Sequence, residues 1–250
     1  MHILLSNDDG VLAPGLLELA TALAEEHRVT VVAPEGEESA KSHALTIKLP
    51  LFLSERSKTG SNPHVYALSG TPTDCAKFAL TYLLKDDMPD LVISGVNNGF
   101  NLGSDALYSG TVGAAMEGLF YGIPGLAVSI EKYTNTCGAK LIPIVKETIN
   151  RIFINNAYKG FLNMNFPTET SYSWDMIKIV HQGMQVYTDV VEAREDRRGR
   201  KYFWIGGNLA FPKEDRITDV WAIKQGYITI VPLTWRQECE DDCNTLATML

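Results

Sequence analysis

His2-Ile3-Leu4-Leu5-Ser6-Asn7-Asp8-Asp9-Gly10 is an apolar strand pattern that runs directly into a turn carrying two adjacent carboxylates. Such a pair repels itself unless something positive sits between its members, and a divalent cation is the natural candidate. The tip of this first strand is therefore read as a metal site. An Asx turn or a helix cap ahead of Pro14 is the plain structural alternative.

Outward from that strand, helix and strand signals alternate, the pattern of a parallel sheet covered on both faces. Pro14 to Glu26 reads as a helix with Leu16, Leu19, Ala20 and Leu23 on one stripe, and Pro14 suits its first turn. Val29 to Ala33 is a short β-branched strand that stops at Pro34. Pro72 to Leu84 is a second helix, and Leu91-Val92-Ile93-Ser94 is a buried strand expected to break at Gly95. Thr111 to Tyr121 returns to helical spacing through Val112, Ala115, Met116 and Leu119, and Gly125 to Ile130 is the next strand. Two polar stretches, 35–46 and 96–111, interrupt this rhythm just after strands. Ligands of open parallel sheets bind beyond the carboxyl ends of strands, so three loops are expected to converge on one edge.

Past residue 160 the chain turns to strand-like pieces, Phe161 to Phe166, Ile177 to His181 and Tyr227 to Pro232, around a charged run from Glu192 to Lys201. The run reads as a solvated loop or arm, with partner binding as the alternative. A boundary is expected somewhere between 160 and 175.

Composition narrows the classes. The 250 residues are 45% hydrophobic, enough for a full core. With 22 Lys+Arg against 30 Asp+Glu the net charge is -8, which disfavours a nucleic acid polymer as partner. Cys75, Cys137, Cys239 and Cys243 lack the spacing of a zinc ribbon or a disulfide framework and read as free thiols, although Cys239 and Cys243 can share a helical turn. No secretory leader and no segment near the roughly 20 apolar residues of a membrane span is visible, so the expectation is a cytoplasmic protein with no membrane partner.

Ser39 offers a hydroxyl and Asn97 an amide oxygen at strand ends, neutral donors that with Asp8 and Asp9 suit Mg²⁺ or Mn²⁺ better than zinc. Tyr108-Ser109-Gly110-Thr111-Val112-Gly113 leads into a helix, and its backbone N–H groups and the Ser109 and Thr111 hydroxyls make an anion site or, equally, an ordinary cap. There is no P-loop and no dinucleotide fingerprint, which leaves hydrolysis of a small phosphate ester. His43, His64 and His181 lie in no nucleophile elbow. Aspartyl-phosphate chemistry wants a D-x-D spacing where this chain has Asp8-Asp9, so water is the expected nucleophile.

These segments together resemble the SurE family, the survival-protein 5'-nucleotidases. The resemblance is carried by SNDDG at 6–10, APE and SAKSHALT at 33–46, GTPTDC at 70–75, SGVNNGFNLGSD at 94–105, YSGTVGAAMEG at 108–118, NMNFP at 163–167, RRGRKYFWIGG at 197–207 and TDVWAIKQGYITIVPL at 218–233. It implies a phosphohydrolase of nucleoside 5'-monophosphates, acting in some members on 3'-nucleotides and short polyphosphate. It implies one divalent ion per subunit, Mg²⁺ or Mn²⁺, on Asp8, Asp9, Ser39 and Asn97. Phosphate contacts carry over to Ser109, Gly110 and Thr111, with Asn7 and Asn101 nearby. The implied fold is a Rossmann-like α/β core over 1–165 with a parallel or mixed sheet. Residues 166–250 would form a C-terminal portion with an extended arm or hairpin, packed partly on the core and partly on a neighbouring subunit of a homodimer or homotetramer. Asn98, Phe100 and Gly36-Glu37-Glu38 depart from the family pattern where the loops border the nucleoside.

The mechanism expected from these residues is attack by a metal-activated water on phosphorus, with Asp8 or Asp9 as both ligand and proton acceptor. The leaving oxygen would be protonated by water or by His43. The alternative reading is a non-catalytic nucleotide- or phosphate-sensing module built on the same metal site. A nucleotide-dependent glycosyltransferase is weaker, since the chain lacks a second full α/β domain for an acceptor.

Overall fold

The first strand, β1 (His2–Ser6), is buried at all of its residues, as an unbroken apolar run in a central parallel strand requires. The computed structural model describes residues 1–249 apart from 59, 135, 169–170, 189–190, 211–215, 240–241 and 244–248. After β1 come α1 (Pro14–Ala24) and β2 (Arg28–Pro34), then β3 (Leu53–Glu55), β4 (His64–Leu68) and α2 (Pro72–Phe78). They are followed by β5 (Leu91–Asn98), α3 (Gly110–Met116), β6 (Gly125–Ile130), α4 (Gly138–Thr148) and β7 (Phe161–Phe166). Beyond these lie β8 (Ile177–Ile179), β9 (Val186–Thr188), β10 (Val191–Glu195), β11 (Lys201–Ile205), β12 (Asn208–Ala210), α5 (Asp219–Lys224) and β13 (Ile228–Leu233).

Nine strands form one mixed sheet in the order β3-β4-β2-β1-β5-β6-β7-β13-β8. The run from β4 through β7 is parallel, while β3 and β13 enter antiparallel to β4 and β7. From β1 the chain builds outward through β2 and β4, then returns to β5 and builds the other way. The reversal lies between β1 and β5, and in open α/β sheets that switch point is where a crevice opens at the carboxyl ends.

Both faces of the sheet are covered. Ile3, Leu5 and Ile93 pack under Leu16, Leu19 and Leu23 of α1 and Leu141 and Val145 of α4. Leu4, Val32 and Val92 point the other way, into Cys75, Ala79 and Leu80 along α2 and its extension. The alternation is the two-residue period of a strand, so one run of apolar residues serves two helical layers. No helix among the described residues is long and apolar enough to cross a membrane.

Several sequence expectations shift in detail. β5 does not end at Gly95; its register against β6 shifts between Ser94 and Asn97 and the strand resumes through Asn98. The helix begun at Pro72 continues past Phe78 as a wider turn over Ala79–Leu83, and α3 continues as a tighter one over Glu117–Tyr121. The strands β3 and β4 and the helix α4 were not anticipated. The charged run, read as a loop or arm, takes the form of a hairpin: β10 and β11 pair antiparallel, with Glu195 opposite Lys201.

Candidate active site

Asp8 and Asp9 leave the carboxyl end of β1 in a turn closed by Asn7, whose amide donates to the Gly10 carbonyl at 2.9 Å. Gly10 adopts φ +99°, and a Cβ there would lie 3.0 Å from the Gly36 carbonyl carbon, so the turn and the 35–39 loop meet backbone to backbone. The Glu38 N–H donates to the Asp8 carbonyl at 2.8 Å, which fastens that loop beside the carboxylates. From the far side of the switch point, the Asn98 N–H at the end of β5 donates to Asp9 Oδ2 at 3.1 Å. The Thr111 hydroxyl of α3 donates to Asp8 Oδ1. Three loops thus converge on the carboxylate pair, as the sequence pattern required.

Asp8 is 5% exposed. Burial pushes its carboxyl up to about 6, with the Asp9 charge adding to the rise and the Thr111 hydroxyl opposing it. Asp9 is also pushed up, by burial first and by the charge of Glu37. No Lys, Arg or His forms an ion pair with either among the described residues. Asn7 Oδ1, one residue before Asp8, is buried without a hydrogen-bond partner among those residues. Two desolvated carboxylates with no countercharge and a waiting neutral acceptor fit a divalent cation held by oxygen. The described residues contain no group of three or more His, Cys, Asp or Glu able to hold a metal, so further protein ligands would be neutral.

The other expected residues fall into place unevenly. Asn97 is buried beside Asp9's partner Asn98, its amide donating to the Gly99 carbonyl at 2.8 Å. Ser39 sits on the exposed loop, its hydroxyl donating to Glu37 Oε1 at 2.8 Å. Asn101 is occupied: its amide donates to Ser129 Oγ at 2.8 Å, its N–H to Asn165 Oδ1 at 2.9 Å, and its carbonyl accepts from Asn163 at 2.7 Å. It anchors the loop after β5 to β6 and β7. Ser109 is the N-cap of α3, its Oγ accepting from the Val112 N–H at 3.1 Å. Gly110 lies against the pair itself, since a Cβ there would be 3.2 Å from Asp8 Cβ.

Next to this centre a cavity of about 730 Å³ opens between α3 and the chain after β13, lined by Ser42, His43, Ser109, His181, Trp235 and Arg236. Asp8 and Asp9 are not in its wall; Ser109 joins the two. His43 Nε2 bonds Glu117 Oε2 at 2.7 Å, and Lys77 Nζ donates to Glu117 Oε1 at 2.8 Å. Burial pushes Glu117 up, but His43 and Lys77 outweigh it and hold the carboxyl below its ordinary range. His64 instead bonds Glu55 on the exposed sheet edge at 2.7 Å, so no Ser-His-Asp constellation forms from it. Glu117 and Lys77 were missed from sequence. The one available signal was a lone acid in the small-residue run Gly113-Ala114-Ala115-Met116-Glu117-Gly118. The four cysteines are free, Cys75 and Cys137 buried, Cys239 and Cys243 exposed.

Residues 3–189 match the family described as survival protein SurE. The chain belongs to the SurE family. Among curated SurE relatives, the protein named 5'-nucleotidase SurE from Thermoanaerobacter sp. (strain X514) is 40% identical over 234 residues, covering 93% of this chain and 92% of its own. The 5'-nucleotidase SurE of Synechococcus elongatus (strain ATCC 33912 / PCC 7942 / FACHB-805) is 41% identical over 244 residues, 94% of each chain. The crystal structure of the SurE protein from Aquifex aeolicus superposes with a TM-score of 0.81 at 32% identity, covering 100% of this chain and 99% of that one.

Proposed function

We propose that this SurE chain is a metal-dependent 5'-nucleotidase, a phosphohydrolase of nucleoside 5'-monophosphates, with 3'-nucleotides and short polyphosphate as further substrates. The observation that carries the proposal is the Thr111 hydroxyl on Asp8. It joins a carboxylate pair suited to one Mg²⁺ or Mn²⁺ ion to the helix start suited to phosphate. Asp8, Asp9, Asn97 and Ser39 would hold the ion, which when bound polarises a phosphoryl oxygen and makes water more acidic.

The chain's own groups do the rest. Gly110 and Thr111 begin α3, so their N–H groups have no acceptor within the helix and would donate to phosphate oxygens. Asp8, with its carboxyl pushed up to about 6, is matched to proton acceptance near neutral pH. Thr111 fixes one Asp8 oxygen and Asn98 fixes one Asp9 oxygen, so neither carboxylate turns away when substrate arrives. The nucleoside would extend past Ser109 into the neighbouring cavity, which is walled by both apolar and polar side chains as ligand sites are. A homodimer or homotetramer and a cytoplasmic location belong to the same proposal, supported by the family and by four free thiols.

Asp9→Asn, stripped of metal and resupplied with Mg²⁺ or Mn²⁺, is expected to lose phosphate release from AMP by at least about 100-fold, the scale of a reacting centre misplaced by about 1 Å when one of its two anionic ligands is gone, while its thermal transition stays cooperative. Near-normal turnover in that variant would overturn the assignment. Wild-type protein that binds AMP but never releases more phosphate than one equivalent would favour the sensing module instead.

A further inference from the structure

His43 stands in a setting that the loop sequence alone does not explain. It sits on the polar stretch after β2, yet its ring bonds Glu117, which is 2% exposed, at 2.7 Å. A buried acid on a helix extension does not by itself need a histidine, because Lys77 already neutralises it at 2.8 Å. The pairing instead fixes the orientation of the ring through Nε2. With Nε2 on Glu117, Nδ1 is the ring nitrogen left for another partner, and the residue lines the cavity that continues from Ser109.

Its position relative to the carboxylates follows from α3. A Cβ on Gly110 would be 3.2 Å from Asp8 Cβ, and one on Gly113 would be 3.2 Å from His43 Cα. Helix positions three apart are neighbours at about 5–6 Å. Asp8 and His43 therefore flank a single turn of α3, within about 12 Å of each other, a span that a phosphoryl group and its ester oxygen can bridge. The other groups around His43 are the Phe120 ring at 5.8 Å and, lining the same cavity, Ser42, Ser109, His181 and Arg236. Glu117 is the acid that bonds it, with Lys77 behind.

Resting on the phosphohydrolase reading above, we propose that His43 is the general acid, with Glu117 as its positioning residue. The P–O ester bond breaks and its electron pair goes to the nucleoside oxygen, which takes the proton from His43. Water supplies the new P–O bond and gives its proton to the carboxylate pair. The carboxylate pair releases its proton to solvent and His43 takes one back, so nucleoside monophosphate and water become nucleoside and phosphate with nothing left over.

The test compares wild type, His43→Gln and Glu117→Gln on AMP and on p-nitrophenyl phosphate, with the same metal ion. Nitrophenolate leaves without a proton, whereas a ribose alkoxide does not. His43→Gln is expected to lose AMP hydrolysis by about 10²- to 10⁴-fold, the usual worth of a general acid, and nitrophenyl phosphate hydrolysis by only a few-fold. Its pH profile for AMP should also lose the basic limb. Glu117→Gln should shift the ratio in the same direction by a smaller factor. Equal losses on both substrates mean that His43 only fastens its loop to α3, and they overturn the proposal, as does an unchanged ratio. Should His43→Gln fail to fold, the Glu117→Gln ratio decides alone, and no shift there overturns it. Wild type inactive on both substrates overturns the phosphohydrolase reading, an outcome distinct from an active enzyme with an unmoved ratio.

Discussion

Asp8 carries its charge at a cost, and the sign of that cost can be worked out. Its folded-state carboxyl titrates at about 6 against an ordinary value of 3.8, chiefly because it is buried. The native state therefore holds a proton that the unfolded chain releases between those values. The stability this gives is present in full below pH 4 and is lost as pH rises through about 6. Above that, the ionised form is a burden of about 3 kcal/mol. Asp8→Asn keeps an oxygen for the Thr111 hydroxyl and removes the charge. In metal-free buffer at pH 7.5 it should melt roughly 6–12 °C above wild type, and at pH 4 the two should coincide. Saturating Mg²⁺ should reverse the order at pH 7.5, because only the wild type gains from binding the ion. Equal melting temperatures in metal-free buffer at both pH values would show that burial does not strain this carboxylate.

At the level of elements, α3 is the part on which the site turns, and its glycines let it approach. A Cβ on Gly110 would be 2.9 Å from Pro72 Cγ of α2 as well as 3.2 Å from Asp8 Cβ. Gly110→Ala should therefore push α3 off both neighbours, costing about 1–3 kcal/mol as overpacking does and lowering turnover at least about tenfold through a displaced Asp8. Retained activity with lowered stability would mean that α2 gives way and Asp8 does not. The strands and helices that position α3 were legible: β1, α1, β2, β6 and β7 emerge within a residue or two of their sequence patterns because each buries a continuous or periodic apolar face. α4 escaped because Pro143 interrupts its pattern. β3 and β4 escaped because they form the sheet edge, where β3 buries none of its residues and β4 only its last two. In the site, the Asp8-Asp9 pair announced itself by adjacency. The His43–Glu117 pair did not, since 74 residues separate its members and only the packing of a loop on α3 brings them together.

For the whole molecule, the sheet closes its business on both faces, but the β10–β11 hairpin does not. Its register sets Val191 opposite Ile205 and Ala193 opposite Phe203, an apolar face, while Glu192 and Arg194 lie opposite Trp204 and Tyr202. The sequence displays this two-residue alternation, masked by the density of charge on the other face. Val191, Phe203 and Ile205 are 64%, 59% and 83% exposed in the single chain. A two-stranded hairpin is at best marginally stable in water by itself, and an exposed apolar face of this kind marks an interaction surface. In the assembly proposed above, a second copy of the chain would cover it, meeting the hairpin about a twofold axis. Phe203→Glu combined with Ile205→Glu should then shift the mass measured by light scattering from a dimer or tetramer to the monomer, while the far-ultraviolet circular dichroism of the nine-stranded sheet is retained. An unchanged mass would place the interface elsewhere. Loss of mass with loss of nucleotidase activity would show that the hairpin contacts also hold the cavity wall from His181 to Gln182, which joins the chain leading into β9.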